Sequence, residues 1–161
     1  MVNKLSPALF VLILFCFFLP FLNVSCSGQK AMTLTGLQLV TGTTIEKPGM
    51  FGEKQTQKLD GEILAGLAGI AAISGLLYGL AKDKASNTDK HSSVITSIIG
   101  IIGIVSLLLL KAKLDNDILK QGQGMIQIEY AFGFWLVLIL NAVVVVINLF
   151  LFTEAKKDKD I

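Results

Sequence analysis

FFLPFLNVSCSG, residues 17–28, is the stretch on which the reading of the whole chain turns. It closes the first apolar block and opens the first polar connector. It therefore marks a signal peptide ready for cleavage, a lipid-attachment site, or the far end of a membrane helix that stays in place. Lys4, the apolar run from Ala8 to Leu19, and the small residues Ser25 and Ser27 supply the three parts of a signal peptide. Val24 and Ser25 ahead of Cys26 suit a lipoprotein, although Asn23 stands where an aliphatic residue is expected. Against both, Pro20 falls near the end of the apolar run, where a helix stops without a central break, and Asn23 and Ser25 then sit at the interface. The retained helix is the expectation, and the block it closes spans 5–22.

Three further apolar blocks follow, at 63–81, 94–110 and 131–152. Of 161 residues, 53% are hydrophobic and 16% charged, with a mean hydropathy of +0.69, far from a soluble domain of this length. Each block approaches the ~20 residues that cross ~30 Å of hydrocarbon, and none holds a charge. VLILFCFFL and AVVVVINLFLF are apolar on every face rather than along one stripe, which argues against a soluble bundle. The expected fold is an all-α membrane protein, a four-transmembrane-helix bundle in one integral domain with a small extracytoplasmic β-containing layer. Its outer loops would be 23–62 and 111–130, with a cytoplasmic loop at 82–93 and a tail at 153–161.

The net charge is only +2 and every basic residue is a lysine, so no electrostatic footprint for nucleic acid is present. The lysines divide evenly between the two sides of the expected bundle. Those at Lys4, Lys82, Lys84, Lys90, Lys156, Lys157 and Lys159 lie in short segments close to helix ends. That is the positive-inside pattern, and it places both termini in the cytoplasm.

Within the blocks, small residues recur every four positions at Ala71, Gly75 and Gly79, again at Gly61, Ala65 and Gly69, and at Ser92, Thr96 and Gly100 with Gly103 nearby. Bare faces of this kind let helices approach closely in lipid, either inside the monomer's bundle or along a homo-oligomer seam. Asn141 and Asn148, seven residues apart, share one face of the last helix. Their amides are costly to leave unpaired in hydrocarbon, so they face protein, as interhelical glue or as the lining of a path. Tyr130 and Trp135 mark the interfacial end of that helix.

The connectors carry their own signals. KAMTLT alternates as a short strand, and TGLQ is a capping box with Thr35 as N-cap and Gln38 three positions on, which predicts a helix of one to two turns ending near Gly42. From Thr43 to Lys58 a mobile loop is expected. Beyond Leu110 the helical pattern continues through Leu114 and Ile118, with i,i+4 pairs Lys111–Asp115 and Lys113–Asp117, until Gly122 and Gly124 end it. MIQIEY then alternates Ile126, Ile128 and Tyr130 against Gln127 and Glu129, a strand expected to pair with KAMTLT. Cys16 and Cys26 stand about 15 Å apart along a helix axis and are not expected to pair.

LPFLNVSCSG followed by TGLQLVTG resembles the first loop of small, uncharacterised four-helix bacterial inner-membrane proteins, a resemblance that implies an inner-membrane location and no activity. The layout is also similar to the claudin-like architecture, but that family's first-loop tryptophan and paired cysteines have no counterpart here, the one Trp being Trp135. Only the architecture carries over.

The spans hold no charge for a proton relay or ion coupling, and His91 lies in a polar connector without metal-ligand spacing, so no cofactor or metal is expected. No nucleophile and base can be paired, and an enzyme is not expected. The functional expectation is a non-catalytic accessory, scaffold or interaction subunit. It would meet membrane lipid and a protein partner or second copy through Cys26, Thr35, Gln38, Asp115, Asp117, Gln127 and Glu129. The alternative is an oligomeric pore or uncoupled carrier lined by Asn141 and Asn148.

Overall fold

The computed structural model of the chain describes residues 5–26, 29–48, 54–85, 90–121 and 126–157. It is mostly helical. Three helices, α3 (Ile63–Ala85), α4 (Lys90–Gln121) and α5 (Phe132–Lys157), contain stretches long and apolar enough to cross a membrane, at Ile63–Ala81, Ser93–Asn116 and Phe132–Thr153. With α1 (Leu5–Cys16) they form a ring in which α3 packs on α1 and α4, and α5 on α4 and α1.

The first block departs from the expected single helix over 5–22. Helix α1 ends at Cys16, and Phe17, Phe18 and Leu19 tighten onto the carbonyls three residues back at 3.2, 3.1 and 3.0 Å. Pro20 then offers no N–H, which stops the helix, and it begins strand β1 (Pro20–Cys26), a position proline tolerates. The apolar composition of the block conceals a change of period. Leu22 and Val24 alternate with Asn23 and Ser25, a strand's repeat of two.

β1 is the central strand of the larger sheet, whose order is β2–β1–β5, with β2 (Gln29–Thr35) and β5 (Ile126–Tyr130) both antiparallel to it. KAMTLT and IQIEY are therefore strands, as expected. They do not pair with each other, because β1 lies between them. Register places Leu22 between Leu34 and Tyr130, and Val24 between Met32 and Ile128, on the face that packs on the bundle. Asn23 stands between Thr33 and Glu129 on the other face.

Thr35 caps α2 (Gly36–Thr41) as predicted, its hydroxyl accepting from the Gln38 N–H at 3.3 Å while the Gln38 side chain accepts from the Thr35 N–H at 3.0 Å. Gly42 ends the helix at φ 77°, a left-handed conformation that glycine adopts without steric cost. The segment expected to be a mobile loop instead contains a hairpin, β3 (Thr43–Pro48) paired antiparallel with β4 (Lys54–Leu59). Its backbone pairing was obscured by polar side chains such as EKQTQK, which give no apolar alternation to read.

Candidate functional site

Glycine positions set how closely the helices meet. A Cβ at Gly75 would lie 2.4 Å from the Phe10 ring, and one at Gly79 would lie 3.1 Å from Pro7. A Cβ at Gly100 would lie 2.8 Å from Val145, and one at Gly103 would lie 2.7 Å from Asn141 Oδ1. These bare positions thus receive side chains from α1 and α5 of the same chain, which is close packing within the monomer. Ala71 is buried on α3 together with Ala65, Ala68 and Ala72.

Both buried asparagines turn their donors inward. Asn141 Nδ2 donates to the Val137 carbonyl at 2.9 Å, and Asn148 Nδ2 donates to the Val144 carbonyl at 2.8 Å and to Ser6 Oγ at 3.2 Å. At 4% and 3% exposure these amides are enclosed by helices rather than set along an open surface. The Asn148–Ser6 contact joins the first and last helices, and in a low-dielectric setting such a bond favours one arrangement of helices over looser ones.

At the sheet end of the bundle, α4 runs past its neighbours and is tied down twice. The Tyr130 hydroxyl of β5 donates to Asp115 Oδ1 at 2.6 Å and lies 3.1 Å from the Lys111 carbonyl oxygen. Lys111 Nζ holds the other carboxylate oxygen of Asp115 at 2.8 Å and stands 4.7 Å from the centre of the Tyr130 ring. Burial, and then the carboxylate of Asp115, push the Tyr130 phenol well above the ordinary tyrosine range, so it remains a donor. The second tie is Lys113 to Glu62 at 2.6 Å, which fastens α4 to the residue before α3. The expected partner of Lys113 was Asp117, whose side chain lies outside the described residues.

Beneath this layer the rings of Phe17, Phe21, Phe134 and Tyr130 form a continuous row of tilted and edge-to-face contacts, with centroids 5.2 Å apart for Phe17–Phe21, 6.2 Å for Phe21–Phe134 and 5.0 Å for Tyr130–Phe134. The Ala131 N–H donates to the Phe21 carbonyl at 2.8 Å, so β1 is joined directly to the start of α5. Gly133 permits this approach, since a Cβ there would fall 2.5 Å from the Pro20 carbonyl oxygen.

The residues expected to meet a partner divide into three groups. Thr35 and Gln38 cap α2, and Asp115 holds Tyr130 and Lys111, so all three have structural work within the chain. Gln127 and Glu129 are exposed on β5. Cys26 ends β1 opposite Gln29 and Ile126, and Asp117 lies in α4, their side chains being outside the described residues. The reading from sequence missed Asn23 and Thr33. Thr33 Oγ1 donates to Asn23 Oδ1 at 3.0 Å, and with Glu129 they make one polar row across three strands. The alternation of Leu22 and Val24 with Asn23 and Ser25 is the signal that finds Asn23, and that of Met32 and Leu34 with Thr33 finds Thr33. Among the described residues, no group of three His, Cys, Asp or Glu side chains is placed to hold a metal ion. No model of a known protein family matches the chain, and no curated protein matches it either.

Proposed function

We propose that the chain is a four-span membrane protein of the bacterial inner membrane that serves as an accessory or interaction subunit, using a folded extracytoplasmic layer to hold a protein partner. The observation that carries this reading is the contrast in how polar groups are used. The buried amides of Asn141 and Asn148 are engaged with their own helix and with Ser6. On the sheet, Asn23, Thr33, Gln127 and Glu129 form a polar face held in place by the Tyr130–Asp115–Lys111 cluster. A rigidly supported polar face is suited to recognition, because little conformational entropy is lost when a partner orders it further. Both termini and the connector at 82–93 are assigned to the cytoplasm on the lysine pattern.

The test is site-specific photo-crosslinking in the native membrane, with the crosslinker placed at Thr33 or Gln127 and, as a control, at lipid-facing Val146. A protein adduct formed from Thr33 and Gln127, absent from Val146, and lost when Glu129 and Asn23 are both replaced by lysine is the expected result. A chain that yields no adduct from the sheet while its thiol-labelling pattern still places the sheet outside the cytoplasm defeats the reading.

A further inference from the structure

Among the described residues helix α1 has 12, Leu5–Cys16, which rise about 18 Å, well short of ~30 Å of hydrocarbon. Its direction and its slot are nevertheless continued by α2. The Phe17 carbonyl, one of those a helix end leaves without a partner, accepts from the N–H of Leu37 in the first turn of α2 at 2.9 Å. A Cβ at Gly36 would lie 3.0 Å from the Phe17 ring, so the first residue of α2 sits directly against the end of α1.

Alongside α3 the two helices follow one another in height. Pro7, Phe10 and Phe17 of the α1 segment lie against Gly79, Gly75 and Gly69, and Val40 of α2 then lies against Gly69 and Gly66, its carbonyl oxygen reaching Gly61. The Leu39 carbonyl accepts from the Glu62 N–H at 2.7 Å, which closes the far end. Six further residues in α2 add about 9 Å, bringing the pair close to the thickness of the hydrocarbon.

We infer that α1 and α2 together make one discontinuous membrane crossing, with the β1–β2 hairpin inserted at its joint, and that acyl chains cover the outward side of that joint. This rests on the membrane reading above. Non-helical backbone at membrane depth needs protein partners, and the Phe17 and Phe21 carbonyls have them in the N–H groups of Leu37 and Ala131. The outward side is apolar. Phe15 and Phe18 are each 65% exposed and Leu37 44%, and the neighbouring α3 also exposes Leu67, Ile70 and Ile73. Between α1 and α3, on the α1 side of the joint, a hollow of about 230 Å³ is lined by Val11, Leu14, Phe15, Phe18 and Leu76. Such a surface has nothing to offer water and suits hydrocarbon.

The experiment uses the full chain in phosphatidylcholine vesicles, with Trp135→Phe as background and single tryptophans introduced by Leu37→Trp, Leu67→Trp or Thr33→Trp. Leu67 lies on α3 at the height of α2, and Thr33 is exposed on the sheet. With brominated acyl chains, L37W is expected to lose fluorescence to an extent comparable with L67W, while T33W keeps its emission and is quenched by aqueous acrylamide. L37W that is quenched by acrylamide and spared by bromine, with L67W quenched by bromine, overturns the discontinuous crossing alone. L67W spared by bromine overturns the membrane reading with it. A nitroxide on Leu37→Cys in a cysteine-free background gives an independent reading, with oxygen expected to relax it more than an aqueous nickel chelate does and the reverse order counting against the inference.

Discussion

Helices α1 and α5 begin from similar material and end differently. Both carry long aliphatic and aromatic runs, yet among the described residues α5 runs for 26 and α1 for 12. In α5 the apolar run contains no proline, and its two asparagines satisfy themselves on carbonyls one turn back, so the ladder of helical bonds is never broken. In the first block Pro20 withdraws one donor and the side-chain period changes to two, so backbone groups must find partners elsewhere in the chain. A continuous helix in lipid can stand on composition alone, whereas an interrupted one stands on particular contacts. Substitutions near α1, α2 and the sheet should therefore cost much more than substitutions on the exposed side of α5.

The largest effect is expected from Gly75→Val, which drives a side chain into the Phe10 ring where α1 meets α3. Overpacking of this kind costs about 2–3 kcal/mol, read from denaturant unfolding in mixed micelles. Adding Phe10→Ala should recover part of the loss, and a double variant no better than G75V would mean that the two helices do not meet there. Tyr130→Phe removes a hydrogen bond to a carboxylate and should cost about 1.5 kcal/mol, read in the same way.

The same phenol gives a pH test. Its folded pKa lies above that of a free tyrosine, ~10, so its contribution is whole below that pH and is lost as pH rises through the folded value. In Tyr78→Phe, phenolate absorbance is expected to appear only at pH values above those for the unfolded chain, and Asp115→Asn should bring the transition down. Thr35→Ala removes the cap of α2 and should cost about 1 kcal/mol, with faster amide exchange confined to 36–41. Glu62→Gln loosens a partly exposed ion pair and should cost about 0.5 kcal/mol or less, diminishing in high salt. As the counterpart in α5, Val146→Ala on the exposed side should stay within about 0.5 kcal/mol of the parent. A cost equal to that of G75V would erase the distinction between the two regions.

Much of the architecture was legible from residues in isolation. Thr35 with Gln38, the strand alternation of Ile126 to Tyr130, and the Lys111–Asp115 spacing all describe interactions within a few residues of one another, and such interactions leave their pattern in the chain. The long helices were legible for a different reason. Apolar residues in lipid need only satisfy their own backbone, so a charge-free run of sufficient length is enough to predict one. The candidate site was less legible, because its polar row takes Asn23, Thr33 and Glu129 from three strands that sequence does not show to be neighbours.

Sequence by itself determined that α3, α4 and α5 would be long apolar helices, that Thr35 would start a short helix, and that KAMTLT and IQIEY would be strands, while β1 and the β3–β4 hairpin escaped it. Tertiary structure alone decided that β1 lies between β2 and β5, that Lys113 reaches Glu62, and that α2 occupies the slot beside α3 which α1 leaves empty. The physical reason is range. Helical period, caps and i,i+4 pairs are set by neighbours along the chain, while the partner of a carbonyl freed at Phe17 is settled only when a segment twenty residues away is folded against it.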